Sequence, residues 1–170
     1  VGIRLASATS ILVLVAAVLV AGWWLLIPSD YQVLGRHARE SVLFTANLQY
    51  LSESGYFDAI SHEKWLLHTW SLAVEWQFYL LYPLALLLLH RFNMGWRALL
   101  MAHVTGLLLS LGLGVWWTIG QPDKAFYLLA PRAWELLLGG CVFLVAQRWK
   151  PTAQLARGLE LAGLLAIVFS

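Results

Sequence analysis

Charge is scarce in this 170-residue chain: charged residues make up 12% of it, and hydrophobic residues make up 61%. An ordinary soluble domain carries about 25% charged residues, so the composition excludes that class and indicates an integral membrane protein. The formal net charge is only +2. No basic tract with interleaved aromatic residues is present, so nothing supports nucleic-acid binding. We therefore expect the lipid bilayer to be the main surrounding of the chain.

Cysteine occurs once, at Cys141, within an apolar run. A single cysteine excludes a disulfide framework and a cysteine-based metal site, and we expect no metal and no bound cofactor. The chain begins at Val1 and ends in the apolar run 155–170. That run has about 16 residues, fewer than the ~20 residues of a spanning helix. We therefore expect the chain to be an internal part of a longer protein.

Long apolar runs predict four complete membrane-spanning helices, at about 6–27, 70–89, 98–119 and 126–147. Each approaches the ~20 residues that cross the hydrocarbon core as a helix, and 155–170 is a fifth, truncated span. The predicted fold class is all-α, a polytopic transmembrane helix bundle, with 1–170 as part of one membrane domain. The connection 28–65 has mixed charge, and its start, 31–48, has the pattern of a short amphipathic helix at the interface. Turn residues follow at 53–58.

Basic residues are concentrated in two short loops, and this predicts the orientation. The loops 90–97 and 148–157 carry Lys or Arg and no acid, whereas the connection 28–65 and the loop 120–125 carry acids. Basic loops stay on the cytoplasmic side of a membrane. We therefore expect 90–97 and 148–157 to be cytoplasmic and 28–65 to be extracytoplasmic.

One carboxylate, Glu75, lies inside the otherwise apolar and aromatic run from Leu66 to Pro83, LLHTWSLAVEWQFYLLYP. An ionisable side chain at membrane depth is costly, so it is rare unless it has a function or a partner. In a helix, the polar residues of this run recur at steps of three and four and form one stripe that should face protein or water. The members of this polar stripe are His68, Ser71, Glu75, Tyr79 and Tyr82.

The fourth predicted span adds two charged residues, Arg132 and Glu135, in FYLLAPRAWELLLGG (126–140). Their spacing of three places them on one helix face. With a helix rise of about 1.5 Å per residue, Arg132 lies roughly 9 Å in from Phe126, and Glu75 lies roughly 8 Å in from Trp70. This calculation predicts one polar layer in which a contact between Glu75 and Arg132 is geometrically allowed.

Such a layer has three interpretations that periodicity does not separate. A carboxylate could take or give a proton in group transfer. The layer could instead bind the cargo of a polytopic transporter that moves a solute or an acyl group without forming an ester. Or the charges could be a buried ion-pair cluster that only fixes helix packing.

The two segments resemble the hallmark motifs of the acyltransferase-3 family of integral membrane O-acyltransferases. LLHTWSLAVEWQFYLLYP resembles the family's His-Thr-Trp-Ser-Leu followed by Val-Glu-Glu-Gln-Phe-Tyr, and FYLLAPRAWELLLGG resembles its aromatic pair followed by Arg-Ala-Trp-Glu-Leu. The stretch from Ile27 to Asp58 is similar to the extracytoplasmic connection of bacterial members that modify peptidoglycan or lipopolysaccharide. One departure is Trp76, where the common pattern has a second glutamate.

The resemblance implies transfer of an acyl group, commonly acetyl from acetyl-CoA, to a hydroxyl of an envelope polysaccharide, by a multi-pass protein of the bacterial inner membrane. By motif match it implies Glu75, Arg132 and Glu135 as catalytic residues. The substrate-binding residues that it implies are His68, Trp70, Ser71, Tyr79 and Trp134. It also implies a catalytic histidine on a helix upstream of this chain and, in the full-length protein, a C-terminal soluble hydrolase-like domain. On its own the fragment is expected to be inactive.

Overall fold

The computed structural model describes residues 2–54, 64–92, 95–149 and 152–168. Within these ranges the chain forms helices joined by short turns and contains no strand, so the predicted all-α class is confirmed. The helices are α1 (Gly2–Leu25), α2 (Pro28–Val42), α3 (Ala46–Glu53), α4 (Thr69–Arg91), α5 (Trp96–Gly120), α6 (Pro122–Tyr127), α7 (Ala133–Ala146) and α8 (Ala153–Val168).

Two of the described helices, α4 with 23 residues and α5 with 25, are long and apolar enough to cross a bilayer. They cover the predicted spans 70–89 and 98–119 and extend them by one or two residues at each end. The apolar stretch Ile11–Leu25 of α1 and the helix α7 are shorter. The described residues thus contain two candidate spans, and the count of four complete spans remains a prediction.

The described part of the connection between α1 and α4 contains two helices where the pattern predicted one. α2 begins at Pro28, whose fixed φ and missing N–H suit the first helical position. Its buried residues, Leu34, His37, Ala38 and Ser41, recur at steps of three and four, which confirms an amphipathic helix. Phe44 then adopts a φ of 55°, in the left-handed region, and the chain turns into α3. Most of the predicted turn at 53–58 lies outside the described residues.

Two small apolar cores hold these helices together. In the first, Leu34 and Ala38 of α2 pack against Ile11 and Val15 of α1, together with Leu66. The second forms where α3 lies on the first half of α4, with Tyr50 fully buried. α5 packs along α7 and also contacts α6. α4 contacts α2, α3 and α6, and α3 also contacts α6 directly.

The predicted span 126–147 is not one helix, because α6 ends at Tyr127 and α7 begins at Ala133. Pro131 lies in the break; it lacks an N–H group and disfavours a helical conformation in the residue before it. Pro131 is fully buried. Its carbonyl oxygen lies against Gly114 of α5, where an added Cβ would stand only 2.9 Å away. A glycine is therefore required on α5 for the break to pack this closely.

Ser110 of α5 satisfies the backbone of the same break. Its hydroxyl donates to the carbonyl of Ala130 at 2.6 Å and accepts the N–H of Trp134 at 2.9 Å. The first N–H groups of a helix have no partner inside that helix, so Ser110 caps α7 from a neighbouring helix. Sequence reasoning gave Ser110 no role, although together with Gly114 it fixes where Arg132 stands.

Candidate functional site

Arg132 lies at the break, immediately before α7, and packs against two aromatic rings. Its guanidinium carbon Cζ is 5.0 Å from the ring centroid of Trp70 and 6.0 Å from that of Phe126. These two rings are themselves 4.4 Å apart. A planar guanidinium over an aromatic face is attracted by the ring quadrupole. Trp70 of the first motif therefore meets Phe126 and Arg132 of the second.

Glu135 is the ionic partner of Arg132. The Nη2 atom of Arg132 lies 3.2 Å from each carboxylate oxygen of Glu135, so the predicted sharing of one helix face is confirmed. Both side chains are partly exposed, 29% for Arg132 and 45% for Glu135. An exposed pair at this spacing adds little stability. The pair therefore orients the guanidinium without burying it.

The structure does not form the contact between Glu75 and Arg132 that the calculated common layer allowed. The calculation assumed an unbroken helix from Phe126, and the break at Pro131 removes that assumption. Arg132 stands beside Trp70 in the first turn of α4, whereas Glu75 is five residues further along. That spacing is about 7.5 Å of helix rise. Arg132 pairs with Glu135, and Glu75 forms no hydrogen bond or ion pair with any described residue.

The first four residues of the polar stripe lie on the exposed side of α4. His68, Ser71, Glu75 and Tyr79 are exposed, whereas the buried residues of α4 are Thr69, Ala73, Val74 and Phe78. Ser71 donates its hydroxyl to the backbone carbonyl of His68 at 3.1 Å. Trp134 is half-buried on α7. Across the parts of the chain that the structure describes, the open stripe is not covered by another helix and can face water, a ligand or further protein.

Tyr82, the innermost member of the stripe, behaves differently because it reaches α5. Its hydroxyl lies 2.7 Å from Nε2 of His103, a buried histidine to which sequence reasoning assigned no role. A single histidine in an apolar helix gives no pattern from which a partner could be predicted.

A second polar cluster, also missed from sequence, joins α2, α3 and the chain before α4. Nε2 of His37 lies 2.9 Å from both carboxylate oxygens of Glu53, Gln49 donates to the same carboxylate at 2.8 Å, and Lys64 lies 3.7 Å away. Burial disfavours charge on Glu53, but the hydrogen bonds from Gln49 and His37 and the charges of His37 and Lys64 outweigh it. The pKa of Glu53 is therefore lowered.

Two neutral amides lock the α2–α3 corner onto α4 and α6. Gln77 donates to the carbonyl of Phe44 at 3.0 Å and to Oδ1 of Asn47 at 2.8 Å. Asn47, which is fully buried, donates to the carbonyl of Tyr127 at 3.0 Å. Since Tyr127 adjoins Phe126, this network helps to hold the ring of Phe126 beside Arg132. The one sequence feature that could have indicated this network is Gln77, an amide inside the first motif.

Trp76, the residue that departs from the family pattern, has a packing role. Its ring stacks on Phe44 with a centroid distance of 4.4 Å and an interplanar angle of 24°. The left-handed turn at Phe44 is thus covered by an aromatic ring of α4. A second carboxylate at this position would remove that contact.

Among the described residues, no group of three or more His, Cys, Asp or Glu side chains is placed to hold a metal ion. The arrangement instead offers a cation on aromatic rings, a carboxylate paired with it, and a separate open carboxylate on α4. These are groups that stabilise charge and move protons.

The chain is similar in sequence to proteins named as an O-acetyltransferase and as a transacylase. The chain is 36% identical over 122 residues to the O-acetyltransferase OatA of Staphylococcus aureus (strain NCTC 8325 / PS 47), which covers 69% of the chain and 19% of that protein. It is 29% identical over 133 residues to the putative membrane-bound transacylase BcsY of Komagataeibacter xylinus, covering 77% of the chain and 33% of that protein. An uncharacterized protein of Haemophilus influenzae is 38% identical over 63 residues, covering 37% of the chain and 26% of that protein.

No family model matches the chain, and no solved structure matches it. The names of two of these relatives, O-acetyltransferase and transacylase, nevertheless agree with the family that the two motifs resemble. The chain belongs to the acyltransferase family of membrane O-acyltransferases. It spans about a fifth of the length of the Staphylococcus aureus relative, 19%.

Proposed function

We propose that the full-length protein is a multi-pass inner-membrane O-acyltransferase that transfers an acyl group, acetyl first of all, from acyl-CoA to a hydroxyl of a cell-envelope polysaccharide. Peptidoglycan and lipopolysaccharide are the proposed acceptors. The observation that carries the proposal is the meeting of the two motifs, in which Arg132 packs on Trp70 and Phe126. The relatives named O-acetyltransferase and transacylase support the reaction class.

Arg132 is the proposed electrostatic catalyst. Acyl transfer develops negative charge on the carbonyl oxygen, and a fixed positive charge beside that oxygen lowers the barrier. Trp70 and Phe126 restrict the plane of the guanidinium, and Glu135 holds one end of it at 3.2 Å. Because 29% of the Arg132 side chain remains exposed, a carbonyl group can approach it.

Glu75 is the proposed proton acceptor for the sugar hydroxyl. Its carboxylate is exposed and has no hydrogen-bond or ion-pair partner among the described residues, so it is available to an incoming hydroxyl. His68, Ser71 and Tyr79 lie on the same open face of α4 and supply polar groups for the acceptor. Trp70 and Trp134 supply aromatic surface for it. The basic loops 90–97 and 148–157 support an extracytoplasmic position for this face, where an envelope polysaccharide would be.

The test uses purified full-length protein in detergent with labelled acetyl-CoA and a soluble glycan. The wild-type protein should form labelled ester, and Arg132→Ala should slow ester formation by roughly 100-fold or more, the loss typical of removing one oxyanion-stabilising group. Arg148→Ala is the matched control, because Arg148 also lies over a tryptophan ring, that of Trp96, at 5.6 Å. It should leave the rate unchanged. An Arg132→Ala rate equal to wild type would contradict the assigned role.

Transport without ester formation is the second candidate, because discontinuous helices such as α6 and α7 often line transporter binding sites. The same assay separates the two functions. Ester formed in detergent, where there are no compartments, requires catalysis by the protein. A wild-type protein that forms no ester but moves labelled acyl donor or glycan into sealed vesicles would establish transport instead.

A further inference from the structure

The two candidate spans, α4 and α5, leave an apolar groove between the end of α4 and the start of α5. Among the described residues, α4 packs against α2, α3 and α6 but not along α5. The groove has a volume of about 480 Å³. Its lining residues are Pro83, Leu86, Leu87, Leu89, His90 and Leu99. His90 is the single lining residue with a polar side chain, so the groove is suited to an apolar occupant.

A hydrogen bond between α4 and α5 lies just beyond the inner end of the groove. The hydroxyl oxygen of Tyr82, which directly precedes Pro83, is 2.7 Å from Nε2 of His103. His103 lies one helical turn after Leu99, and its Nδ1 is 2.8 Å from the Leu99 carbonyl oxygen. From Pro83 to His90 the groove extends about 10 Å along the axis of α4.

Positive charge is concentrated at the other end of the groove, where α4 ends and α5 begins. Arg91 is the last residue of α4, and Arg97 is the second residue of α5. Both are exposed, and neither forms an ion pair with an acidic residue in the described ranges. The segment 90–97 contains no acidic residue. An anionic group at this end would therefore meet arginines whose charge is not already neutralised.

Trp96 indicates that this charged end lies at the level of the lipid headgroups, because tryptophan is enriched at the membrane–water interface. Its Nε1 donates to the carbonyl of Leu144 at 3.0 Å, and Cζ of Arg148 lies 5.6 Å from its ring centroid. Another arginine is thus held at the same level. The basic loops predict that this side is cytoplasmic, and the cytoplasmic leaflet carries anionic lipids.

The chemistry of the groove favours a phospholipid over the acyl donor as the occupant. A fatty acyl chain is apolar along its length, so it leaves no polar group without a partner among the leucines. The arm of acyl-CoA carries amide groups, and burying an amide without a hydrogen bond is costly. Basic pockets between membrane helices on the cytoplasmic side bind anionic headgroups. The groove combines such a basic end with an apolar interior.

We propose that this groove binds an anionic phospholipid of the cytoplasmic leaflet. One acyl chain lies between α4 and α5, and the headgroup phosphate lies at Arg91 and Arg97. His90 supplies a hydrogen-bond donor beside the headgroup. The lipid fills the space between two spans that do not pack along each other, and so links them on the cytoplasmic side of the bond between Tyr82 and His103. This inference does not depend on the proposed acyl transfer.

The test is native mass spectrometry of the purified full-length protein with phosphatidylglycerol, which is anionic, and phosphatidylethanolamine, which has no net charge. Wild type should retain phosphatidylglycerol in preference. Arg91→Gln and Arg97→Gln should each weaken its binding by about fivefold, and the double variant should weaken it by about 25-fold. Arg157→Gln is the control. It removes an exposed arginine from α8, which contributes no residue to the groove, and should match wild type.

A matched pair of leucines tests the apolar part of the groove. Leu87 lines the groove and Leu84 does not, and both are exposed, by 67% and 57%. A tryptophan at the first position occupies the groove, so Leu87→Trp should reduce retention of phosphatidylglycerol, whereas Leu84→Trp should match wild type. In lipid-free detergent every variant should melt at the wild-type temperature. Added phosphatidylglycerol should raise the melting temperature of wild type but not that of the double arginine variant.

Four results would overturn the proposal. The first is equal retention of the two lipids by wild type, and the second is wild-type binding of phosphatidylglycerol by the double variant. An equal loss in Arg157→Gln would show attraction by general positive charge in place of a defined site. Displacement of phosphatidylglycerol by acetyl-CoA would assign the arginines to the acyl donor. If wild type retains neither lipid, the groove is filled by another part of the full-length protein, and the proposal is wrong.

Discussion

Glu75 and Gln77 lie two residues apart on α4, but their contacts differ: Gln77 is hydrogen-bonded inside the protein, and Glu75 is exposed. Gln77 donates to the carbonyl of Phe44 and to the side chain of Asn47, and so ties α4 to the α2–α3 corner. Glu75 is exposed and has no such partner among the described residues. A polar group that is satisfied inside the protein serves the fold. One that is left open at membrane depth needs another reason to be there.

Gln77→Leu should have the largest effect on stability. It leaves the carbonyl of Phe44 and the side-chain oxygen of Asn47 without their donor, and a buried polar group without a partner costs about 1–3 kcal/mol. We expect a loss of about 3 kcal/mol in the free energy of unfolding, measured by denaturation of the full-length protein in detergent. Gln121→Leu, at an exposed position, is the control and should have little effect. Equal stability of the two variants would contradict a structural role for Gln77.

Gly114→Ala should have the next largest effect, and it tests whether the break holds Arg132. The added Cβ would stand 2.9 Å from the carbonyl oxygen of Pro131, so the backbone of the break must move. Overpacking of this kind costs about 1–3 kcal/mol. Ester formation should fall with stability because Arg132 directly follows Pro131. Gly112→Ala, which meets no atom within 4 Å, should leave both measurements unchanged.

Lowering the pH should weaken the cluster around Glu53. This is the smallest of the three predicted effects on stability. The pKa of Glu53 is lowered in the folded protein, so the carboxylate stabilises the fold above its unfolded pKa of about 4.3. That contribution is lost as the pH falls through the lower folded value. The melting temperature of wild type should therefore exceed that of Glu53→Gln near neutral pH, and the difference should shrink in acid. A difference that is independent of pH would show that the charge of Glu53 does not matter.

The sequence was sufficient for the helices whose apolar runs are long and uninterrupted. The spans predicted at 70–89 and 98–119 agree with α4 and α5, because length and hydropathy alone define such segments. The break between α6 and α7 was missed although Pro131 lies within it. From sequence alone, an apolar run that contains a proline is predicted as one continuous span. The break is evident only once its contacts with Ser110 and Gly114 of α5 are known.

The candidate site was predicted in part. The pairing of Arg132 with Glu135 follows from their spacing of three and was predicted correctly. The packing of Arg132 on Trp70 was not predicted, and neither was the separation of Glu75 from Arg132, since both depend on the path of the chain through the break. His103 could not be found from sequence, because its partners Tyr82 and Leu99 form no motif with it.

The contrast between Glu75 and Gln77 is tested most directly by Glu75→Gln in the full-length protein. The measurement is the ester content of the envelope polysaccharide, together with the abundance and melting temperature of the variant. We predict that the ester is lost while abundance and melting temperature stay at the wild-type values, because Glu75 has no partner in the described fold. Wild-type ester content, or a loss of stability as large as that of Gln77→Leu, would contradict the functional role assigned to Glu75.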